Sequence, residues 1–477
     1  MRRRMLVLSD DSMRGRDTPS PELNETAVYV AAEFRRLGLR PGGDRGGYIQ
    51  RYRLRRSQFD TTSFVEARVS GVTRRWTIGR DLTFDSGLLP ERPTSGRAVL
   101  LAGLPSDTAR PFAGVDVRGA VVVNALAWES VRRDQAPLYA AVRKAQDAGA
   151  IGWITLVSGL PAGMMARWAG SDLRLQTAPV GDEPASDIRV PIVVAEDSSA
   201  TALLRAAGED PAAVFAPGAR GVRPLRGTAV TVALHRRVLA EPTAPNVVGV
   251  LEGSDPRLRG EYVVISAHMD HVGVGRPVNG DSIFNGADDN SSGTVSVMEL
   301  ARAFASLQPR PRRSMVFLVV SAEEKGLWGS SHYARHPAVP LAQTVADLNM
   351  DMISRNAPDS ISAIGHEHSS LGETARRIAR EHPELSMQVA GDLWPDENFF
   401  FRSDHINFAR RGVPILFFFS GPHPDYHRVG DTVDHSDVSK AARVTRLMFY
   451  LGLEVANAAQ RPQWNPDSRR RIVGVDN

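Results

Sequence analysis

Two hydrophobic patterns alternate along the second half of the chain. Compact apolar runs of strand length are separated by stretches whose apolar residues recur at helical spacing. Strands that alternate with helices are typical of a mainly parallel sheet. We therefore predict an α/β fold with a mixed, mainly parallel central sheet flanked by helices. The predicted strands cover residues 245–253, 261–268, 314–324, 344–352, 360–366 and 413–421.

Two amphipathic helices accompany these strands. One is predicted over residues 26–39 and stops at a glycine-rich turn. The other is predicted over residues 291–307, and the serines at its start can cap it. Its apolar face consists of residues three apart, namely Val295, Met298, Ala301 and Phe304.

The middle of the chain has a different composition and hydrophobic pattern. Residues 60–90 alternate as short strands, and residues 90–230 are rich in Gly, Pro and Ala, with compact apolar runs and one helix over 138–150. We predict that residues 90–230 form an inserted, smaller, β-rich α/β domain. Residues 1–89 and 231–477 would then form one discontinuous domain.

Composition narrows the function classes. The chain has 477 residues, enough for two or three domains, and its net charge of +4 comes from scattered arginines, so no basic patch for nucleic acid is indicated. Without cysteine there are no disulfides, thiolate metal ligands or thiol nucleophiles. The apolar runs are too short to span a membrane, and the first residues lack the apolar core of an export signal.

Charged side chains follow several of the predicted strands. Glu323 and Glu324 come directly after a buried apolar run, where two adjacent carboxylates repel each other unless a cation or a proton compensates. Other strands and loops end in further carboxylates and imidazoles, at His268, Asp270, Asp288, Asp289, Asp351, His423 and His427. Ligands of open α/β sheets bind outside the carboxyl ends of the strands, so we expect these groups to converge.

A metal pair would resolve this concentration of charge. Nitrogen and oxygen ligands without sulfur suit zinc, manganese or cobalt. The chain has no HExxH motif, so the single-helix zinc protease pattern is excluded. It also has no Walker lysine and no GxSxG elbow, so neither a nucleotide-binding protein nor a serine hydrolase is indicated.

Six motifs resemble those of a known family. They are "VVISAHMDHVG", "FNGADDNSSG", "VSAEEKGLWGS", "LNMDMI", "RSDHINF" and "PDYHRVGDT". In this order they resemble the two-zinc aminopeptidases, whose relatives include glutamate carboxypeptidase and the transferrin receptor. The resemblance covers nearly the whole chain and implies a zinc-exopeptidase-like fold, two Zn²⁺ per chain with Mn²⁺ or Co²⁺ as substitutes, and a peptide substrate. It also implies that residues 90–230 form a protease-associated domain.

The resemblance assigns a role to each motif residue. Asp289 would bridge both metals, and Glu323 would be the free carboxylate that handles a proton. The remaining metal ligands would be His268 and Asp351 at one site, and Glu324 and His427 at the other.

Several nearby polar residues allow two interpretations. Asp270 would orient the imidazole of His268, a catalytic supporting role, or cap a turn. Asp404 and His405 would line the substrate cleft or hold the start of a helix. We expect His271, His423 and Asp288 to be structural.

The favoured hypothesis is a metallo-aminopeptidase. The sequence leaves open a two-zinc carboxypeptidase or an amidohydrolase of N-acyl amino acids, and, in another class, a non-catalytic binding protein on a peptidase scaffold. Nucleic acid and membrane are not expected as partners. Export is suggested by the family resemblance alone. The oligomeric state and the preferred N-terminal residue do not follow from the sequence.

Overall fold

The described residues form two compact units. The computed structural model describes residues 1–60, 62–69, 71–78, 81–86, 92–104, 110–133, 136–161, 164, 176–179, 190–195 and 197–473. The first unit comprises Met1–Leu54 and Pro242–Asn477, and the second comprises Arg55–Glu241. Boundaries at 89/90 and 230/231 were expected. The second unit starts earlier because the short strands of residues 64–86 pair with its own strands.

The first unit begins with two helices and two strands. These are α1 Arg2–Leu8, α2 Pro21–Arg36, β1 Arg40–Pro41 and β2 Ile49–Phe59, the last of which continues into the second unit. Helix α2 starts before the predicted helix because Ser20 Oγ accepts a hydrogen bond from the Leu23 N–H at 3.0 Å and Pro21 occupies the first turn.

The second unit is built on an eight-stranded sheet in the order β4-β3-β11-β6-β7-β8-β10-β5. The strands of the second unit as a whole are β3 Phe64–Val69, β4 Val72–Thr77, β5 Leu82–Ser86, β6 Thr94–Ala102, β7 Ala120–Ala127, β8 Gly152–Ser158, β9 Gln176–Pro179, β10 Ile192–Ala195, β11 Gly221–Ala233 and β12 Arg236–Ala240. Its helices are α3 Trp128–Arg133, α4 Ala136–Asp147, α5 Asp197–Ala206 and α6 Pro211–Val214. Strands β6, β7, β8 and β10 run parallel, and apolar clusters cover the sheet.

The remainder of the first unit alternates strands and helices. The strands are β13 Thr243–Leu251, β14 Tyr262–His268, β15 Gly273–Val278, β16 Asp281–Phe284, β17 Ser314–Val320, β18 Thr344–Asp351, β19 Ser360–Ile364, β20 Gln388–Ala390 and β21 Ile415–Phe419. The helices are α7 Gly293–Ala305, α8 Trp328–Arg335, α9 Leu371–Glu381, α10 His405–Ala409, α11 Val438–Asn457 and α12 Pro466–Ile472. The six predicted strands of this region are all present. Among the described residues, no helix is both long and apolar enough to cross a membrane.

The central sheet of the first unit is mixed. Its order is β2-β13-β17-β14-β18-β21-β19-β20, and the four central strands β17, β14, β18 and β21 are parallel. Antiparallel pairs lie on both sides of them, β13 with β17 and β19 with β21. His268 lies opposite Val320, and Asp351 lies opposite Phe419, so the carboxyl ends of neighbouring strands are level.

Apolar packing holds both faces of this sheet. Alternate residues of β14 face opposite sides: Ile265 packs with Phe304 of α7 and Leu447 of α11, and Val264 packs in the cluster that contains Phe408 of α10. All seven residues of β17 are buried. Because helices cover both faces, the carboxyl edge of the sheet is the side left for polar side chains.

Helix α7 begins in a way that the sequence analysis did not anticipate. It starts at Gly293, where the Asn290 side chain accepts the Gly293 N–H at 2.8 Å. The expectation that serines cap this helix is wrong, because Ser292 Oγ donates instead to the Asp288 carbonyl oxygen at 2.7 Å.

A buried arginine joins the N-terminal segment to the loops at this edge. Arg16 is 1% exposed, and its guanidinium donates to the carbonyl oxygens of Met269 at 2.9 Å, Asn285 at 2.7 Å and Gly286 at 2.9 Å, and also to that of Leu8. One side chain therefore fixes the segments that follow β14 and β16.

Replacing this arginine should destabilise the fold. We expect Arg16→Met to lower the free energy of unfolding by about 3 kcal/mol or more, because each buried acceptor left without a donor costs about 1–3 kcal/mol. The matched control is Arg36→Met, since Arg36 is 60% exposed and pairs with Glu33 at the surface, where the loss should stay below about 1 kcal/mol. Urea denaturation measures both, and equal losses would contradict the role of Arg16.

Candidate metal centre

The side chains predicted for the site converge at the carboxyl edge of the central sheet. His268 and Asp351 are the last residues of β14 and β18, and Glu324 lies in the turn after β17. Asp289 lies in the turn Ala287–Ser292 that precedes α7, and His427 lies in the loop after β21. The level strand ends bring together residues that are far apart in sequence.

The first group of donor atoms surrounds His268. Its Nε2 lies 3.2 Å from Asp351 Oδ1 and 3.4 Å from Asp289 Oδ1. Glu323 belongs to the same neighbourhood, since donor atoms of His268, Glu323 and Asp351 lie within 4.8 Å of one another. His268 is 1% exposed.

The second group surrounds His427. Its Nε2 lies 3.1 Å from Asp289 Oδ2 and 3.1 Å from Glu324 Oε2. Asp289 therefore directs one oxygen at each group, as a carboxylate shared by two cations would.

These atoms fit a pair of metal ions. Tetrahedral bonds of about 2.0–2.2 Å place neighbouring donor atoms about 3.3–3.6 Å apart, close to the separations found here. His268 Nε2 and Asp351 Oδ1 are buried, and neither has a hydrogen-bond partner within the part of the chain that the structure describes. The donors are imidazole and carboxylate, the set that suits zinc, manganese and cobalt.

Charge in the site is compensated only in part by its own residues. Burial raises the pKa of Glu323 well above its usual value, and the nearby carboxylates Glu324 and Asp351 raise it further, although His268 opposes them. Burial also raises the pKa of Asp289 to about 6, with a contribution from Glu324. Carboxylates held above their normal pKa in this way favour a bound cation or a proton.

The pKa of the His427 imidazole is also raised, which favours its charged form. Burial opposes its charged form, but hydrogen bonds to Asp289 and Glu324 outweigh burial and raise the pKa of His427 to about 10. Burial would raise the pKa of Glu324, yet hydrogen bonds from His271 and His427 hold it well below its usual value. A metal ion would therefore have to displace a proton from His427.

His271 lies nearer to the donors than we expected. We expect it from the sequence to be structural, but its Nδ1 is 2.9 Å from Glu324 Oε1 and 3.6 Å from Asp289 Oδ2. It joins Asp289, Glu324 and His427 in one candidate metal-binding group. The signal in the sequence for a place near the donors was its position three residues after His268, on the same turn.

Asp270 contacts two residues of the first donor group. Its backbone carbonyl accepts a hydrogen bond from His268 Nδ1 at 3.1 Å, and its carboxylate lies 3.7 Å from the same nitrogen. The carboxylate also accepts the Glu323 N–H at 3.2 Å and the Thr18 hydroxyl at 3.0 Å. Asp270 thus contacts both a predicted ligand and the predicted base.

Asp288 and His423 lie outside the two donor groups. Asp288 Oδ1 accepts the backbone N–H of Ser354 at 2.7 Å, and Oδ2 lies 3.4 Å from His423 Nε2. Asp431, which the sequence did not single out, accepts the backbone N–H groups of Asp288 and Asp289 with its two carboxylate oxygens, each at 3.0 Å. The only signal for Asp431 was its place in the motif that contains His427.

A pocket opens beside the donor groups. Asp289, Glu323, Asp351 and His427 line it. The other lining residues are largely aromatic and include one cation: Met352, Phe399, Arg402, Ser403, Phe417, Phe419 and Tyr426.

Comparison with known proteins places this arrangement in a family. The profile described as Peptidase family M28 matches residues 246–452, the stretch that carries every predicted metal ligand. This segment of the chain belongs to peptidase family M28.

Relatives of this chain are named as an aminopeptidase and as zinc metalloproteases. It is 24% identical over 260 residues to Aminopeptidase YwaD of Bacillus subtilis, which covers 51% of this chain and 52% of that protein. It is 27% identical over 256 residues to a protein of Pyricularia oryzae named "Probable zinc metalloprotease", which covers 45% and 50%. The chain thus spans about half the length of the curated relatives it matches.

The fold of this M28 chain is shared with a solved structure. The aminopeptidase from Aneurinibacillus sp. strain AM-1 matches with a TM-score of 0.55 and 19% identity, over 98% of this chain and 95% of that chain. At this identity the likeness supports the mixed α/β fold alone. The expectation that residues 90–230 form a protease-associated domain stays a prediction.

The structure distinguishes the roles of Asp404 and His405. Neither lines the described pocket. His405 is the first residue of α10 and is buried, and its Nε2 donates to the Phe400 carbonyl oxygen at 2.8 Å. His405 therefore holds the start of a helix, whereas the side chain of Asp404, the residue before it, makes no capping hydrogen bond.

Buried His405 should make stability depend on pH. Burial lowers the pKa of His405 to about 3, whereas an unfolded histidine titrates near about 6.5. The neutral ring therefore contributes stability that is complete above pH 6.5 and is lost as the pH falls towards 3. We expect His405→Gln to flatten the pH dependence of unfolding free energy between these limits, by up to about 1.4 kcal/mol per pH unit.

Denaturation at a series of pH values measures this slope. The control is His435→Gln, because the side chain of His435 is 57% exposed and its replacement reports the loss of a histidine as such. An unchanged slope in His405→Gln would contradict the assignment of a neutral buried ring.

Proposed function

We propose that the chain is a metallo-aminopeptidase that hydrolyses the N-terminal peptide bond with two zinc ions. The observation that carries this proposal is the carboxylate of Asp289, whose two oxygens face two separate donor groups. Membership of peptidase family M28 supports a peptide as substrate. Mn²⁺ or Co²⁺ would fit the same donors.

Each donor group would hold one ion. Asp289 would be shared by both, with His268 and Asp351 on one side and Glu324 and His427 on the other. When bound, such a pair supplies Lewis acidity to the peptide carbonyl and to the attacking water.

Glu323 carries the proton transfer in this proposal. Its raised pKa suits a general base that later acts as an acid, because the proton must be held and then released. Glu323 accepts a proton from water as the water oxygen bonds to the carbonyl carbon. It then delivers that proton to the leaving nitrogen as the C–N bond breaks.

Asp270 supports this base. Its carboxylate accepts the Glu323 N–H at 3.2 Å and so fixes the backbone from which the base projects. The nearby His268 Nδ1 is oriented by the carbonyl of the same residue at 3.1 Å. One residue therefore aligns the base with a ligand.

The pocket indicates an apolar N-terminal residue. Phe399, Phe417 and Phe419 line its wall together with Met352. Their rings can enclose an apolar side chain, and the carboxylates of Glu323 and Asp351, which also line the pocket, can receive a free α-ammonium group. This arrangement favours removal of apolar residues from free N-termini.

Arg402 favours a second candidate function. Its side chain lines the pocket, is 43% exposed and pairs with Glu397 Oε2 at 3.0 Å. A guanidinium in this position can bind the terminal carboxylate of a peptide or an acylated amino acid. A carboxypeptidase or an amidohydrolase of N-acyl amino acids is therefore the alternative.

The second unit, Arg55–Glu241, is proposed to be the inserted protease-associated domain. Its compact, separate core of parallel and antiparallel strands supports an insertion within the peptidase domain. The chain re-enters the first unit at Pro242, directly before β13.

Separate substitutions of the glutamate pair test the assigned roles. We expect Glu323→Gln to keep both metals and to lower kcat by about 10²–10⁴-fold, because proton transfer is lost. Glu324→Gln should weaken one metal site, since an amide is a poorer ligand than a carboxylate. Metal analysis alongside peptide hydrolysis distinguishes the two, and identical metal loss in both variants would contradict separate roles.

Blocking the N-terminal amine of the substrate distinguishes the two candidate activities. We expect an aminoacyl nitroanilide with a free amine to be hydrolysed and its N-acetyl counterpart to be inert, because the acetyl group removes the charge that the pocket carboxylates receive. Arg402→Gln should then change kcat/KM by less than about threefold, well below the loss of a charge-assisted contact.

A carboxypeptidase gives the opposite pattern. N-blocked peptides with a free carboxylate would be cleaved, C-terminal amides would not, and Arg402→Gln would raise KM by at least about tenfold. That result would overturn the aminopeptidase proposal.

A further inference from the structure

His271 contacts a predicted metal ligand without being one of the five ligands proposed above. It is fully buried, and its Nδ1 lies 2.9 Å from Glu324 Oε1. The other oxygen of the same carboxylate, Oε2, lies 3.1 Å from His427 Nε2. The two oxygens of Glu324 therefore have different partners.

The contact between His271 and Glu324 has the length of a hydrogen bond. A separation of 2.9 Å is ordinary for an N–H···O hydrogen bond. Two donors of one tetrahedral ion would be about 3.3–3.6 Å apart. An ionised carboxylate only accepts, so the shared hydrogen belongs to Nδ1 of His271.

The surroundings hold the ring in this orientation. Gly286 has φ +61°, and a Cβ there would come within 2.6 Å of Cγ of His271, so the absent side chain makes room for the imidazole. On another side, the ring of His427 meets that of His271 edge to face at 5.5 Å. The backbone N–H of His271 donates to the Arg16 carbonyl oxygen at 3.4 Å.

We propose that His271 is a positioning residue whose Nδ1–H donates to Glu324 Oε1 and holds Glu324 Oε2 towards the ion that this carboxylate shares with His427 and Asp289. The inference rests on the proposed metal centre. Outer partners of this kind restrict the rotation of a ligand, and their loss lowers metal affinity by about 10–100-fold.

Three variants of His271 separate a positioning role from ligation. In His271→Asn, the amide nitrogen is attached to Cγ, as Nδ1 is, so a donor remains near Glu324 Oε1. His271→Leu removes the donor, and His271→Gln places its amide nitrogen one bond further from the backbone. The matched control is His405→Leu, which removes another fully buried histidine that is absent from both candidate metal-binding groups.

The measurement is a zinc titration of metal-free protein against a competing chelator. We expect the wild type to bind two ions, and His271→Leu to bind one of them about 10–100-fold more weakly with the other unchanged. His271→Asn and His405→Leu should stay within about threefold of the wild type, below the effect of a lost outer partner. Absorption of the Co²⁺-loaded protein should be the same in His271→Asn as in the wild type, because the coordinated atoms are the same.

Three results would overturn the inference. One is wild-type affinity at both sites in His271→Leu. Another is a changed Co²⁺ spectrum in His271→Asn together with affinity as weak as that of His271→Leu, which would make His271 a ligand. If His271→Leu does not fold, His271→Asn is compared with His271→Gln, and equal affinities overturn it. If the wild type binds no metal, that result would instead contradict the proposed function, and this inference with it.

Discussion

Electrostatic repulsion among buried carboxylates is the constraint around which the first unit is organised. Asp289, Glu323, Glu324 and Asp351 meet at one edge of the central sheet, where the two aspartates are buried and the two glutamates are partly buried. Burial and mutual repulsion raise the pKa of Glu323 and Asp289, so the arrangement is stable only with positive charge among these groups. The imidazoles supply part of that charge, and a pair of divalent cations would supply the rest.

The fold holds these carboxylates together through its strand ends and through the buried side chain of Arg16. Four parallel strands end at the same level, which brings the donors together without long flexible loops. Arg16 secures the loops beside them through carbonyl oxygens, and Asp431 secures the backbone of Asp289 through its N–H groups. Rigid supports of this kind hold ligands in place before an ion binds. The segment that matches peptidase family M28, residues 246–452, contains all of these donors.

Strands and donors could be predicted from the sequence because their signals are local. Six consecutive apolar residues, 315–320, mark β17, and the carboxylates that follow it stand out against that run. Contacts set by tertiary structure could not be predicted in the same way. His271 looks like any histidine in a turn until β14 and β17 are placed side by side, and Arg16 is one of many arginines until its four carbonyl partners are known. The start of α7 was also misjudged, since Asn290 caps it from the turn that bends around Asp289.

The central claim is that one carboxylate joins two metal sites, and crystallography at the zinc absorption edge tests it most directly. Crystals of the full chain grown with zinc should show two anomalous peaks, one beside each oxygen of Asp289. His268 and Asp351 should contact one ion, and Glu324 and His427 the other. A single peak, or peaks away from Asp289, would contradict the account.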